Sequence, residues 1–221
     1  MPRVASGGRP PVLLIPGLMA ADWAMRPLAQ LLHRRGYPTV PARIGFNVGC
    51  TTELVERLEA RLATTRERHG RPAVVVGWSR GGTLGKIVTL RSPQLVAALI
   101  TLGSPNVNPL AVSRTVMWQL GMLRRLNAYG LRRMLGDGCI TGACADSVRS
   151  LLASPFPGHI PYIAFYSKQD SVVDWRACRD PDATLVEVRA SHLQLGVDPR
   201  VLRHVVDRLD ALQARAAARA S

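Results

Sequence analysis

Residues 73–82 read Ala-Val-Val-Val-Gly-Trp-Ser-Arg-Gly-Gly. An apolar strand runs into Gly77-Trp78-Ser79-Arg80-Gly81, and helix-compatible sequence follows. Strand, G-x-S-x-G and helix, in that order, are the parts of a nucleophile elbow. The serine of such a turn sits on strained backbone, and small residues two before and two after it let strand and helix approach without collision. Ser79 Oγ is then expected to stand above the carboxyl edge of a sheet, facing the first amides of the next helix. In a chain with 19 glycines the bare pentapeptide is weak evidence. The flanking strand and helix make it strong.

Outward from this turn, short apolar runs alternate with helical patterns, as in parallel βαβ units. The runs are Val12–Pro16, Pro38–Ile44, Ala73–Gly77, Val96–Leu102, Tyr162–Tyr166 and Thr184–Val188. Pro27–Arg35 carries Leu28, Leu31 and Leu32 on one helical face, with Gly36 as its stop. A second helix is expected over Thr52–His69 from the spacing of Leu54, Val55, Leu58 and Leu62. A last one starts with Asp198 as N-cap and Pro199 at its first position, and the alanine-arginine tail 214–221 is expected to fray. The fold class is therefore α/β: about six mainly parallel strands with helices on both faces, in one domain spanning residues 1–221. Residues 105–160 break the alternation. They show two helical patterns, Val112–Leu126 and Tyr129–Leu135, and read as a lid-like insertion near the mouth of a site on the carboxyl side of the sheet.

Composition narrows the class further. At 221 residues and 24.0 kDa the chain can fill one core, and 47% hydrophobic with 20% charged residues excludes disorder. The net charge of +14 is almost all arginine, since only Lys86 and Lys168 are lysine. The arginines are scattered without a run, which reads as compositional bias, and no nucleic-acid partner is expected. A peripheral contact with an anionic membrane is kept open for the insertion, where Met117, Trp118, Leu120, Met122 and Leu123 stand beside Arg124, Arg125, Arg132 and Arg133. Packing on the sheet is the preferred reading, and in both cases some of these side chains are expected to line an acyl pocket, with Trp118 taken as the one whose loss shifts chain-length preference.

No stretch reaches the ~20 apolar residues of a membrane span, and Val12–Ile15 is too short for a signal-peptide core, so the chain as given reads as cytoplasmic. The four cysteines form no disulfide framework. Cys139 and Cys144 could close a small loop if oxidised, but free thiols are expected in a reducing compartment. No second ligand pair stands at zinc-site spacing, and neither a metal nor a cofactor is expected.

Acyl-transfer chemistry at a serine needs a base, a carboxylate to orient it, and donors for the oxyanion. In this architecture they follow in the order serine, acid, histidine. Of five histidines, His33 and His69 precede the serine, His204 lies inside the last helix, and His159 stands at the wrong end of the fifth strand. His192, in the loop after the sixth strand, fits the order. The loop after the fifth strand, 167–174, offers Asp170 and Asp174. Asp170 is nearer the strand end and is preferred, while Asp174 suits capping or a contact with Arg176. For the oxyanion, the donors expected are the amide of Arg80 and one from Pro16-Gly17-Leu18-Met19: that of Leu18, with Met19 as the alternative.

On Val-Leu-Leu-Ile-Pro-Gly, Gly-Trp-Ser-Arg-Gly-Gly, Ile-Thr-Leu-Gly-Ser-Pro-Asn, Tyr-Ser-Lys-Gln-Asp-Ser-Val-Val and Val-Arg-Ala-Ser-His, the chain resembles the α/β-hydrolases, most of all small bacterial serine esterases and lipases. The resemblance covers nearly the whole chain and implies Asp170 as acid and His192 as base. The family's Asn-rich turn after the second strand has an echo in Gly45-Phe46-Asn47-Val48-Gly49. Pro16-Gly17 stands where the family has His-Gly, and Ser171 where glycine commonly follows the acid. The implied activity is hydrolysis of a small carboxylic ester through an acyl-enzyme. Acyl transfer or thioester cleavage on the same residues, and a non-catalytic binding module, are the alternatives.

Overall fold

The six strands form one sheet in the order β2-β1-β3-β4-β5-β6, and every neighbouring pair is parallel. A computed structural model describes residues 8–130, 134–139 and 141–220. The strands are β1 (Val12–Ile15), β2 (Thr39–Pro41), β3 (Ala73–Trp78), β4 (Val96–Leu102), β5 (Tyr162–Tyr166) and β6 (Thr184–Glu187). β1 pairs with β2 on one side and β3 on the other, so chain order reverses there. Crevices of open α/β sheets lie at such a reversal, outside the carboxyl ends of the strands. Ser79 follows β3 and Leu18 follows β1.

The helices are α1 (Arg26–Arg34), α2 (Thr51–His69), α3 (Arg80–Arg91), α4 (Arg114–Ala128), α5 (Ala143–Leu152), α6 (His192–Val197) and α7 (Pro199–Ala220). Side-chain alternation sorts the strands between two cores. Val74 and Val76 of β3 face a core with Leu28 and Leu32 of α1 and Leu202, Val205 and Val206 of α7. Val75 of the same strand faces the other core, with Leu58 and Leu62 of α2 and Leu84 and Val88 of α3. Burial on both faces explains why the inner strands read as continuous apolar runs rather than alternating ones.

Four expectations change. β2 stops at Pro41 rather than running to Ile44. The amides of Ala42 and Arg43 donate to the Asp22 carboxylate at 3.1 Å, and Arg43 adopts φ 54°, which no strand continues. In the insertion, α4 begins at Arg114, because Val112 forms an antiparallel bridge with Val173. The helix expected over Tyr129–Leu135 is not found where the chain is described: Tyr129 and Gly130 form a turn with Gly130 at φ 92°, and residues 131–133 lie outside the described residues. A different helix, α5, occupies the insertion's second half and packs Leu152 into the core beside α3. Finally, the 214–220 tail continues α7, as its alanines and arginines, both strong helix formers, allow. Among the described residues, no helix is long and apolar enough to cross a membrane.

Candidate active site

Ser79 stands between the last residue of β3 and the first of α3, at φ 54° and ψ −126°. A non-glycine residue reaches that region only when its surroundings hold it there. The two flanking glycines show what does. A Cβ on Gly77 would lie 2.4 Å from the Gly81 carbonyl oxygen and the backbone of Gly82, and one on Gly81 would lie 2.3 Å from the Ile15 carbonyl oxygen. The close approach of β3, α3 and β1 therefore forces the turn and lifts the serine out of it.

Two other loops meet Ser79. His192 Nε2 lies 2.9 Å from Ser79 Oγ, and His192 Nδ1 lies 2.6 Å from Asp170 Oδ2. With Nδ1–H donating to the carboxylate, Nε2 is left to accept the Ser79 hydroxyl proton. The side chain of Asp170 is 1% exposed and that of His192 7%. The second oxygen of Asp170 accepts the amides of Val172 and Val173, both at 2.9 Å, so the carboxylate is fully hydrogen-bonded although buried. Asp174 does what was expected of it. It accepts from the amide of Arg176 at 3.0 Å, away from the histidine.

Several residues that the sequence did not single out hold this arrangement. Ser191 and Gln194 form a capping box at the start of α6, fixing the backbone of His192. Trp78 Nε1 donates to the His192 carbonyl at 3.2 Å. Ser167 Oγ accepts the amides of Gln169 and Ala190, which ties the Asp170 loop to the His192 loop. Gly103, at φ 56°, leaves room for the pair, since a Cβ there would be 3.3 Å from Asp170 Oδ2 and 3.4 Å from His192 Nδ1. Its sequence signals were its place directly after β4 and its membership of the Ile-Thr-Leu-Gly-Ser-Pro-Asn segment that resembles the family.

On the other flank, residues 16–20 are held by Asn47, which is wholly buried. Its Nδ2 donates to the Pro16 carbonyl at 2.8 Å, and its own carbonyl accepts the Met19 amide at 3.1 Å. Between the two amides considered for the oxyanion, that of Met19 is thus engaged. Among the described residues no hydrogen bond occupies the amides of Leu18 and Arg80, and both residues line the cavity beside Ser79. The Arg80 side chain turns inward to Asn47, to the Gly49 carbonyl at 2.7 Å and to Thr51 Oγ1 at 3.2 Å. Burial pulls its guanidinium down to about 10, which still leaves it charged at neutral pH.

Two cavities meet at Ser79. One, of about 150 Å³ and mostly apolar, runs between Thr83, Leu84, Val116, Leu120, Ala145 and Val148. The other, of about 400 Å³, lies on the His192 side and includes Gln119, Ser171 and Leu193. Trp118 lines neither and is 68% exposed, contrary to expectation. Leu120, one of the side chains expected there, does line the smaller cavity, and Val116 joins it, since α4 is rotated so that Met117 and Trp118 face outward.

Comparison with known proteins bears on the fold and the family. A lipase of Bacillus licheniformis, BlEst2 in its mature form, superimposes with a TM-score of 0.70 at 16% identity over 92% of this chain and 93% of that one. Alpha/beta hydrolase domain-containing protein 10 from mouse gives 0.62 at 18% identity, over 95% and 92%. A monoacylglycerol lipase of Paleococcus ferrophilus gives 0.60 at 15% identity, over 93% and 96%. At these identities the likeness is one of fold. A search of curated proteins finds no match. The model of the alpha/beta hydrolase family matches residues 12–221, and the chain belongs to that family.

Proposed function

We propose that this hydrolase cleaves carboxylic esters of short acyl chain through a serine acyl-enzyme. The hydrogen-bonded series Asp170–His192–Ser79 at the junction of two cavities carries the reading. Ser79 Oγ attacks the ester carbonyl as its proton passes to His192 Nε2. Asp170 stabilises the imidazolium and holds its tautomer. The carbonyl oxygen, now an anion, faces the amides of Leu18 and Arg80 at the N-terminus of α3, where the helix dipole adds to their pull. Collapse breaks the ester C–O bond, and His192 gives its proton to the leaving alkoxide. Water then attacks the acyl-serine, with His192 again as base, and Ser79 is restored.

The two cavities divide the substrate. A leaving alcohol must lie within reach of His192, which places it in the larger cavity. The acyl group is left with the apolar one, whose volume holds about six carbon atoms, the size of benzene in a comparable engineered cavity.

A fluorophosphonate probe tests the chemistry. The native chain should be labelled once, at Ser79. Ser79→Ala should lose the label and roughly 10⁴–10⁶ of its turnover with its fold unchanged. Labelling that persists in the variant, or a native chain that never reacts, leaves only a binding module. Across p-nitrophenyl esters, kcat/KM should be highest between acetyl and hexanoyl and fall at decanoyl. A maximum at decanoyl or beyond refutes the short-chain assignment.

A further inference from the structure

Three of the four cysteines converge beside Arg80. Cys50 is the N-cap of α2, Cys139 closes the short turn Asp137–Cys139, and Cys144 is the second residue of α5. Their Sγ atoms all lie within 4.8 Å of one another, and those of Cys50 and Cys144 are 3.8 Å apart. Thr52 Oγ1 lies 3.2 Å from Cys144 Sγ. All three residues are partly buried with free thiols, and Cys139 lines the smaller cavity at Ser79. The sequence pairs only Cys139 with Cys144. Cys50 is 94 positions from Cys144 and joins them only because the insertion folds back onto the N-terminus of α2.

The spacing has a chemical meaning. A disulfide needs its sulfurs at about 2.05 Å. Two thiolates on one tetrahedral zinc ion, at about 2.3 Å each, stand about 3.8 Å apart. The cluster contains sulfur and no carboxylate, so it discriminates against magnesium and calcium. Three thiolates and a divalent ion carry one net negative charge, and the inward-turned Arg80 guanidinium, on which all three thiols act, balances it.

We propose that Cys50, Cys139 and Cys144 form a tris-thiolate site for a thiophilic divalent ion, zinc foremost, with its fourth position open to water. Binding breaks three S–H bonds, releases three protons to solvent and transfers no electrons. The ion ties Cys139 and Cys144 of the insertion to α2 and stiffens the wall of the cavity that holds Cys139. It stands apart from the Ser79 chemistry and does not depend on it.

Cobalt gives the direct test on the full, untagged chain, reduced and freed of metal by chelation. One equivalent of Co²⁺ should produce thiolate charge-transfer and tetrahedral d–d absorption, and one equivalent of Zn²⁺ should remove both, because zinc binds such sites more tightly. Cys50→Ser, Cys139→Ser and Cys144→Ser should each weaken Zn²⁺ binding at least as much as the 10–100-fold typical of outer-shell losses. Cys178→Ser, which changes a thiol packed against Tyr166 and Val173, should leave binding unchanged. In the native chain one Zn²⁺ should protect all three thiols from alkylation, a result that requires no variant to fold. Equal alkylation with and without Zn²⁺, a cobalt signal that does not saturate, or one that survives Cys50→Ser overturns the proposal. So does native protein that carries a disulfide within the cluster, seen as the loss of two hydrogens in its mass.

Discussion

On the His192 side of Ser79 the polar atoms are buried and paired: Asp170 accepts three hydrogen bonds, and Ser167 joins the two loops that carry the acid and the histidine. On the opposite side, the cavity wall is made by α4 and α5 from the insertion. There Leu123 is the one buried residue of α4, and Trp118 and Tyr129 are 68% and 86% exposed. The first flank is a network in which removing one partner strands others in a low dielectric, so its geometry is stiff. The second is held by apolar contact, which tolerates rearrangement when volume is conserved. A family can then keep its chemistry on the stiff flank while the loose one sets which acyl group enters.

Breaking the stiff flank should have the largest effect. Asp170→Asn keeps the shape but presents an amide where Nδ1–H needs an acceptor, which favours the wrong tautomer of His192. Turnover should fall by roughly 10⁴-fold. Asp174→Asn alters only the cap at Arg176 and should stay within about threefold, with at most ~1 kcal/mol of stability lost. Steady-state kinetics on a short-chain ester, beside thermal unfolding, separates the two. A larger loss for Asp174→Asn would place the acid one step later in the loop.

Asn47 joins the flanks, holding the 16–20 loop on one side and Arg80 on the other. It acts through the Leu18 amide and is a positioning residue. Asn47→Ala should cost about 1–3 kcal/mol of stability through unpaired buried groups. It should lower kcat by about tenfold with KM little changed, less than the 10²–10³ that loss of an oxyanion donor costs. Asn47→Asp restores a partner to Arg80 but removes the donor to the Pro16 carbonyl. It should therefore recover stability and leave kcat low. Recovery of both would mean that the residue serves Arg80 alone.

What the sequence disclosed follows the same division. The turn at Ser79, the strand-end position of Asp170 and the placement of His192 after β6 are local signals, legible because strained turns and short loops restrict residue type. β4 and β5 have the bounds that their apolar runs suggest. Asn47 was visible only as an echo of a family turn, since its role depends on a contact 33 positions away with Arg80. The insertion was least legible. Its apolar positions suit both a buried helix and a half-exposed one, and α5, built on Ala145, Val148 and Leu152, has too few large side chains for its periodicity to stand out. Convergence of Cys50 on Cys139 and Cys144 has no local signature at all.

The smallest effects should come from the loose flank, and they test whether it sets specificity. Leu120 lines the smaller cavity, whereas Trp118, two residues earlier on α4, faces outward. Leu120→Trp inserts an indole into a space of about 150 Å³ and should exclude the longer acyl groups. Activity on acetyl esters should stay within about threefold while the hexanoyl rate drops at least tenfold, a discrimination of ~1.4 kcal/mol or more. Leu120→Ala enlarges the same space and should move the optimum toward octanoyl, at a modest stability cost because the helix is only partly buried. Trp118→Ala should change neither the optimum nor the acetyl rate by more than about twofold, since the side chain is exposed and lines neither cavity at Ser79. The ratio of hexanoyl to acetyl turnover, read across the three variants, decides the matter. If Trp118→Ala shifts that ratio more than Leu120→Trp does, α4 turns its exposed face to the substrate during the reaction, and the loose flank moves far more than repacking of a cavity requires.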